Sequence, residues 1–498
     1  MSKPKAFLKK SKSKKNAEQA LETADDFLAA GVDFEEAAGK WRAGDAVKSM
    51  RFFSKAIDVY DRGLQKFPNS LDLAYNKSVE AASLACREPA GIQQLQAPIL
   101  EVLQQALEAH RYALSLDQDN ADSLFNTAQV LTAIAEESAK DSNRPDQEAL
   151  QALEEALELQ NRCLGVQELK LEESNQQQNE AASQMASEEP NPVESKAMDE
   201  GADEGVVTPA NNAADQWFLA VEPVTKETLV DTILAELGTL TTLCSILASS
   251  TTSAPAKSLA WVEEFSSRLL QTKLPVLVQN AEAERLQEVA LAKANFLSSL
   301  LEAGYRTGSI DASTYKRERD EAFRSPGLDL ERDFAALMAN ANSLISFNAA
   351  LADDNAADPS SQASQRWNAL SAAIANMTVA SKISGPVPED IAETHLIRGN
   401  CSLLQYQLGL PPSMYQPATS NAPQLLKNAD TFYRNAGKLY QEEDMKAICQ
   451  LRAFVSQALL SGSDLMSALA SSNAQTSEEW LESQIQDMID EGLIAPSS

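Results

Sequence analysis

A pattern of small and large residues recurs at a fixed distance along the first third of the chain. The stretch Ala56–Gly63 places a small, a large and a small side chain at helical spacing, and Ala106–Ala113 repeats this arrangement 50 residues later. The segments that follow, beginning at Leu71 and Ala121, match with the same offset. One offset shared across about twenty positions indicates an internal repeat. Because small side chains let a neighbouring helix approach closely, the pattern predicts a stack of similar helical units.

These residues resemble tetratricopeptide repeats (TPR), hairpins of helix A and helix B in which helix B carries small, aromatic and small residues. A third helix B is predicted at Leu150–Leu164, and the layout reappears at Leu425–Gly437. The units are longer than the roughly 34 residues typical of the family, which implies extended helices or insertions. The chain thus resembles an atypical, fungal-type member of the superfamily. The resemblance implies a solenoid of stacked hairpins whose A helices line a groove.

The composition favours helices throughout. Gly contributes only 18 residues and aromatic residues only 6% of the chain, while the helix formers Ala, Leu, Gln and Glu are abundant. No segment shows convincing period-two alternation bounded by hairpin turns, so a sheet is not expected. The predicted fold is all-α, a TPR-like helical-hairpin solenoid in two blocks. The expected divisions are a disordered Lys-rich tail (1–16), an N-terminal block (17–167), a disordered acidic linker (168–215), a C-terminal block (216–475) and an acidic C-terminal helix (476–498).

The acidic linker differs in character from the segments on either side. Residues 168–215 contain a glutamine run, several Pro and Gly residues and many acids, with no helical or strand period. Such a segment cannot bury enough apolar area to offset about 1–2 kcal/mol of ordering entropy per residue. We therefore expect disorder here and a role as a spacer. Contact with a basic client, or a site of phosphorylation, is the alternative.

The charge distribution bears on the kind of partner. Asp and Glu total 72 against 42 Lys and Arg, which gives a formal net charge of -30. This argues against a nucleic-acid-binding surface over the whole chain and favours a basic protein partner. The first 15 residues are the exception, with seven lysines and no acid. They are a candidate nuclear-import signal or weak polyanion contact, or else a solubilising tail, and the candidate signal comprises Lys9, Lys10, Lys12, Lys14 and Lys15.

Residue types that carry chemistry are sparse. His110 and His395 are the chain's two histidines, and His110 falls in the large-residue position of helix B, where packing is the expected role. No phosphate-binding glycine loop, nucleophile elbow or zinc-ligand spacing occurs. We therefore predict no enzymatic activity, no cofactor and no metal. An overlooked enzyme would need a pocket that joins one histidine to an acid and a nucleophile.

Cysteine usage and hydropathy give an expected location. The five cysteines are scattered without regular spacing, which favours a reducing compartment. We expect no apolar run near the roughly 18 residues that span a bilayer. The first residues also lack the apolar core of a secretory signal. The predicted location is the cytoplasm, the nucleus or both, with no membrane partner.

The resemblance places candidate partner-binding residues on two successive A helices. Tyr75 and Asn76 stand in the first, with Phe125, Asn126 and Gln129 in the second. We predict that they line a groove in a non-enzymatic scaffold that binds a protein, with a chaperone or assembly factor for a basic client such as a ribosomal protein as the favoured reading. Ordinary packing between repeats is the simpler role, and it fits the two aromatic residues better than the three polar ones.

A different partner class follows from the same two asparagines. Some TPR proteins use Asn and basic side chains on successive A helices as a carboxylate clamp for the C-terminal tails of heat-shock chaperones. Asn76 is followed by Lys77, but Asn126 is followed by Thr127. A heat-shock chaperone co-factor is therefore the alternative function, and it would require a basic groove.

Overall fold

The fold described here is that of a computed structural model. All of its regular elements are helices, and no strand occurs among the residues it describes, which are 21–42, 44–87, 98–140, 146–187, 223–249, 255–354, 359–463 and 477–495. The predicted import signal in the Lys-rich tail lies outside these ranges. The chain divides into two compact units, one up to Glu236 and one from Leu237. The predicted all-α, helical-repeat architecture is confirmed.

The N-terminal unit is a series of antiparallel hairpins. In each, helix A (α1, α3, α5) packs against helix B (α2, α4, α6), each helix B also packs against the next helix A, and the A helices touch one another. The bounds are Ala24–Trp41 (α1), Ala46–Lys66 (α2), Leu71–Arg87 (α3), Ile99–Leu116 (α4), Ala121–Ala139 (α5) and Asp146–Ser187 (α6). The first part of α7, Lys226–Ser249, belongs to the same unit.

Local polar groups fix where these helices begin. The Thr23 hydroxyl accepts the backbone N–H of Asp26, whose carboxylate accepts the backbone N–H of Thr23, a capping box at the start of α1. The side chain of Asp45 caps α2 and that of Asn120 caps α5. Sequence-local caps of this kind fix the first turns of α1, α2 and α5.

The repeated helix B positions form the interhelical contacts. The large position holds Tyr60, His110 and Gln160 in successive B helices, and each of these side chains is fully buried. The small positions on either side are also buried, at Ala56, Gly63, Ala106, Ala113, Ala156 and Cys163. The predicted packing role of His110 and the predicted third helix B are both confirmed. The 50-residue offset therefore holds across three hairpins.

The predicted start of disorder at residue 168 is wrong. Helix α6 continues through Ser187, and most of its side chains at residues 171–180 are exposed. Gln, Glu and Ala extend a helix that is already nucleated at little cost, and no Pro or Gly intervenes before Pro190. Loss of an amphipathic pattern marks the end of packing rather than the end of the helix. The remainder of the predicted linker, 188–215, lies outside the described residues.

The predicted boundary between blocks also requires correction. Residues 223–236 were assigned to the C-terminal block, but they pack in the N-terminal unit. The Thr232 hydroxyl donates to the side-chain oxygen of Gln167 on α6 at 2.8 Å, and Ala235 packs on the cluster around Phe125. This part of α7 covers apolar surface that α5 and α6 would otherwise expose.

The C-terminal unit continues the helical pattern over one core. Consecutive helices from α12 to α16 pack against each other, and α10 packs against both α11 and α12. After the second part of α7 the bounds are Pro255–Arg268 (α8), Leu274–Leu277 (α9), Ala283–Arg306 (α10), Ala312–Ala322 (α11), Phe334–Ala352 (α12), Pro359–Ala380 (α13), Pro388–Gln407 (α14), Gln416–Leu439 (α15), Glu443–Ser461 (α16) and Glu478–Asp490 (α17). A π-helical turn, Leu269–Lys273, joins α8 to α9.

Helix α15 repeats the arrangement of the N-terminal B helices. Tyr433 is fully buried between Ala429 and Ala436, and its hydroxyl donates to the side-chain oxygen of Asn400 on α14 at 2.9 Å. A Cβ added at Gly399 would lie 2.5 Å from the Tyr433 ring. The helices can approach this closely only because α14 has no side chain there.

The acidic C-terminal helix closes this core. Its buried side chains, with those of the turn that follows, are Met488, Leu493 and Ile494, while its other face is polar and exposed. The Arg452 guanidinium on α16 forms two hydrogen bonds to the Glu491 carboxylate, at 2.7 and 2.9 Å. Terminal repeats need such a polar outer face, so α17 acts as a cap for the unit.

Candidate functional site

Four of the five predicted groove residues, all except Phe125, lie on the side of the A helices in the N-terminal unit that is at least partly exposed. We call this side of α1, α3 and α5 the A-helix face. The chain reverses between α2 and α3, and again between α4 and α5, through turns whose backbone hydrogen bonds match, Ser70 to Phe67 and Asn120 to Asp117. Because the two turns match, α3 and α5 present equivalent positions to the A-helix face.

The structure joins two of the five predicted residues directly. The Asn126 amide donates to the Tyr75 hydroxyl at 3.0 Å, which links α5 to α3 across the face. Gln129 is exposed, whereas Phe125 packs against Cys163 in the core. The Asn76 amide donates to a backbone oxygen of its own helix, that of Asp72, at 2.8 Å. The five residues therefore do not form one site, and Phe125 has a packing role.

Three aspartates give the face its charge, and sequence reasoning missed them. Asp25, Asp72 and Asp122 stand in the first turns of α1, α3 and α5, where the helix dipole favours acids. Partial burial and the nearby Asp25 carboxylate both raise the pKa of Asp72. Burial raises the pKa of Tyr75 to about 12, and the Asp122 charge acts in the same direction. Asp72 and Asp122 share the 50-residue offset, which is the signal that could have identified them.

Lys77, the basic residue next to Asn76, is not available for a carboxylate clamp. Lys77 Nζ lies 2.5 Å from Asp61 Oδ1 on α2, so its charge is already paired. Thr127, at the equivalent position of α5, is buried and donates its hydroxyl to the backbone oxygen of Ser123 at 2.6 Å. The Asn76 and Asn126 positions therefore lack an adjacent unpaired cation.

Neither histidine lies in an arrangement typical of a catalytic base. Burial lowers the pKa of His110 to about 4, so the imidazole is neutral in its packing position. His395 stacks on the ring of Phe432 with the rings 6.3 Å apart, and burial followed by the Arg398 charge lowers its pKa. Both environments favour the neutral imidazole over the protonated one.

The other side chains able to carry chemistry in the described part of the chain are metal-ligating residues and thiols. No group of three or more His, Cys, Asp or Glu side chains is placed there to hold a metal ion. Cys163, Cys244, Cys401 and Cys449 are free and buried. Burial raises the pKa of Cys401 to about 12, which keeps that thiol protonated.

Two helices are more apolar than we expected from the sequence. Helices α7 and α12 are long and apolar enough to cross a membrane by length and composition, contrary to the expectation that no run approaches this limit. In each, 56% of the apolar window is buried within the protein. Core helices of soluble proteins meet the same criterion, so this is weak evidence for a membrane span.

Comparison with known proteins gives partial matches. A fission yeast protein, UPF0656 protein C926.02 of Schizosaccharomyces pombe, is 35% identical over 160 residues, 31% of this chain and 33% of the relative. Uncharacterized protein YNL193W of Saccharomyces cerevisiae is 38% identical over 78 residues, 15% of this chain and 14% of the relative. The chain thus matches a third or less of each relative's length. No family model matches the sequence.

A solved structure described as a circular tandem repeat protein with novel repeat topology and enhanced subunit contact surfaces aligns over most of the chain. The alignment covers 95% of this chain and 98% of that protein, at 13% identity and a TM-score of 0.29. This TM-score is too low to carry an argument about the fold. The helical-repeat assignment rests on the helix packing described above.

Proposed function

We propose that this chain is a non-enzymatic, TPR-like scaffold that binds a basic protein segment on the A-helix face of its N-terminal unit. A chaperone or assembly factor for a basic client such as a ribosomal protein, acting in the cytoplasm, the nucleus or both, fits this chemistry. The TPR-like assignment is supported by the buried small, large and small positions, which keep one spacing in α2, α4, α6 and α15.

The observation that carries this proposal is the set of acids on the A-helix face, Asp25, Asp72 and Asp122, in the first turns of α1, α3 and α5. Partial burial and, after it, the Asp25 charge raise the pKa of Asp72, so the two negative charges repel each other. A lysine or arginine from a partner would relieve that repulsion. Because the chain carries a net charge of -30, its field would also speed the encounter with a basic partner.

The same geometry favours a basic partner over an acidic chaperone tail. A carboxylate clamp needs unpaired cations beside its asparagines, but Lys77 is paired with Asp61 and Thr127 is buried. An acidic peptide would instead meet Asp72 and Asp122. This is the physical reason for ranking the heat-shock co-factor function second.

Fluorescence anisotropy with a labelled Lys/Arg-rich peptide tests the proposal. We expect the double variant Asp72→Asn/Asp122→Asn to bind the peptide about tenfold more weakly, since two charge contacts of about 0.5–1 kcal/mol each are lost. The control Glu154→Gln/Glu158→Gln changes the net charge equally on exposed positions of α6 and should bind like the wild type. Equal weakening in both double variants would contradict a defined site.

Two further conditions locate the site. Binding should weaken as salt rises, because exposed charges are screened over about 8–10 Å at physiological ionic strength. Deletion of residues 188–215 should leave binding intact. Loss of all binding on that deletion would assign the site to the deleted segment instead of the A-helix face.

A further inference from the structure

A second surface of the N-terminal unit contains an open groove between two B helices. It runs between α2 and α4 over α3 and has a volume of about 610 Å³. We call it the B-side groove, and its apolar lining includes Ile57, Leu64, Ala81, Val102 and Ala109. This volume falls in the range of about 300–1,000 Å³ that ligand pockets occupy.

The internal repeat provides a built-in comparison for this groove. One repeat later, Leu131 stands at the position of Ala81 and Leu159 at the position of Ala109, each 50 residues on. Leu131 is only 2% exposed and packs in one cluster with Leu159. The gap between α2 and α4 is therefore open because two alanines replace the leucines that fill the equivalent space between α4 and α6.

The ion pair that joins α4 to α6 has no equivalent between α2 and α4. Between α4 and α6, Arg111 Nη2 lies 2.8 Å from Glu155 Oε2. The equivalent residues in the B-side groove are Asp61 and Gln105, which cannot form an ion pair with each other. An acid thus stands where the filled gap has an arginine.

The groove walls define the chemistry of an occupant. Glu108 is exposed on the lining and has no ion-pair partner among the described residues, while the Lys77 charge is paired with Asp61. Tyr112 is 39% exposed beside them, with its hydroxyl donating to the backbone oxygen of Pro68 at 2.5 Å. An aromatic wall, an apolar floor and an excess acid complement leucine-like side chains next to a lysine or arginine.

We propose that the B-side groove binds the apolar face of a short amphipathic helix that carries basic residues along its flank. The leucine-like side chains of the partner take the space that Leu131 and Leu159 fill one repeat later, and a basic residue pairs with Glu108. This surface is separate from the A-helix face, so the inference does not depend on the proposed function.

The decisive variant installs the residues that the chain itself uses in the next repeat. We expect Ala81→Leu/Ala109→Leu to fold normally and to bind a labelled amphipathic peptide of Leu, Ala and Lys at least tenfold more weakly than the wild type. A version of the peptide with serine in place of leucine should lose binding to the wild type. Binding by the filled variant within twofold of the wild type, or equal binding of the serine peptide, would overturn the proposal.

Two more variants test the proposal if Ala81→Leu/Ala109→Leu does not fold. Glu108→Lys places a cation on the groove lining and should weaken binding at least threefold, so unchanged binding overturns the proposal. Asp72→Asn/Asp122→Asn removes the acids that a basic peptide would meet on the A-helix face, and in this background Glu108→Lys should still weaken binding at least threefold. If that variant abolishes binding while the groove variants do not, the peptide sits on the A-helix face and the groove proposal fails.

Discussion

At the scale of single residues, the closest helix contacts depend on glycine facing a buried tyrosine. A Cβ added at Gly31 would lie 2.1 Å from the Tyr60 Cε1 atom, well inside van der Waals contact. The Tyr60 ring is fully buried and its hydroxyl donates to the Glu35 carboxylate, so the ring has little freedom to move away. The same pairing recurs between Gly399 and Tyr433.

Substitution of Gly31 by alanine should therefore destabilise the N-terminal unit. We expect the free energy of unfolding to fall by about 1–3 kcal/mol, the usual cost of overpacking. Gly39 is a matched control in the same helix, since a Cβ there meets nothing, and alanine should stabilise by about 0.5–1 kcal/mol. Urea unfolding of both variants checks this. Stabilisation by Gly31→Ala would contradict the packing described for α1 and α2.

The buried imidazole of His110 makes a second prediction at this scale. Its pKa is about 4 in the folded protein against 6.5 for the unperturbed group, so the unfolded state binds a proton first. Its contribution to stability is complete above pH 6.5 and is lost as the pH falls toward 4, by up to about 3 kcal/mol.

Gln160 occupies the equivalent buried position, which makes His110→Gln the natural comparison. The stability of this variant should fall less than that of the wild type between pH 6.5 and 4. Since His395 is present in both proteins, the difference between the two pH profiles isolates His110. Parallel profiles in urea unfolding would show that the imidazole is accessible to protons in the folded state.

At the scale of elements, the length of each helix depends on the helix propensity of its residues, whereas its packing depends on the spacing of its apolar residues. The amphipathic pattern predicted the hairpins of the N-terminal unit because the main contacts of each hairpin join helices adjacent in sequence. It failed for α6 beyond residue 167, because an exposed helix needs only good helix formers and no breaker. It also assigned residues 223–236 to the wrong block, since α7 packs against α6 across a long interval of sequence.

The C-terminal cap gives a prediction for one element. Glu491→Gln should weaken the attachment of α17, because the Arg452 side chain is only 8% exposed and would lose its charged partner. Glu491 is itself 42% exposed, so we expect a moderate cost of about 1–3 kcal/mol. Hydrogen exchange of the α17 amides should accelerate accordingly.

Glu482 lies on the exposed side of the same helix and serves as the control. Glu482→Gln should change α17 exchange little, within about 0.5 kcal/mol of the wild type. Equal acceleration in the two variants would mean that the overall charge of α17, rather than the Arg452 contact, holds the cap in place.

At the scale of the whole molecule, net charge should oppose folding. With a formal charge of -30, repulsion among carboxylates destabilises the compact state. We expect the melting temperature to rise by a few degrees as NaCl increases from about 0.01 to 0.15 M, where the screening length falls from about 30 to 8 Å. NaCl and KCl should act alike. A melting temperature that falls with salt would mean that ion pairs such as Arg111–Glu155 outweigh the repulsion.

The sequence by itself determined that the chain is helical, that its units repeat, and which helix B positions are buried. These properties depend on spacing within a helix and between adjacent helices, which a linear pattern records. The tertiary structure alone decided that Asn126 bonds to Tyr75, that Lys77 turns to Asp61, and that the B-side groove stays open. Side-chain direction and the filling of space between helices depend on contacts from several elements at once, and no single stretch of sequence contains them.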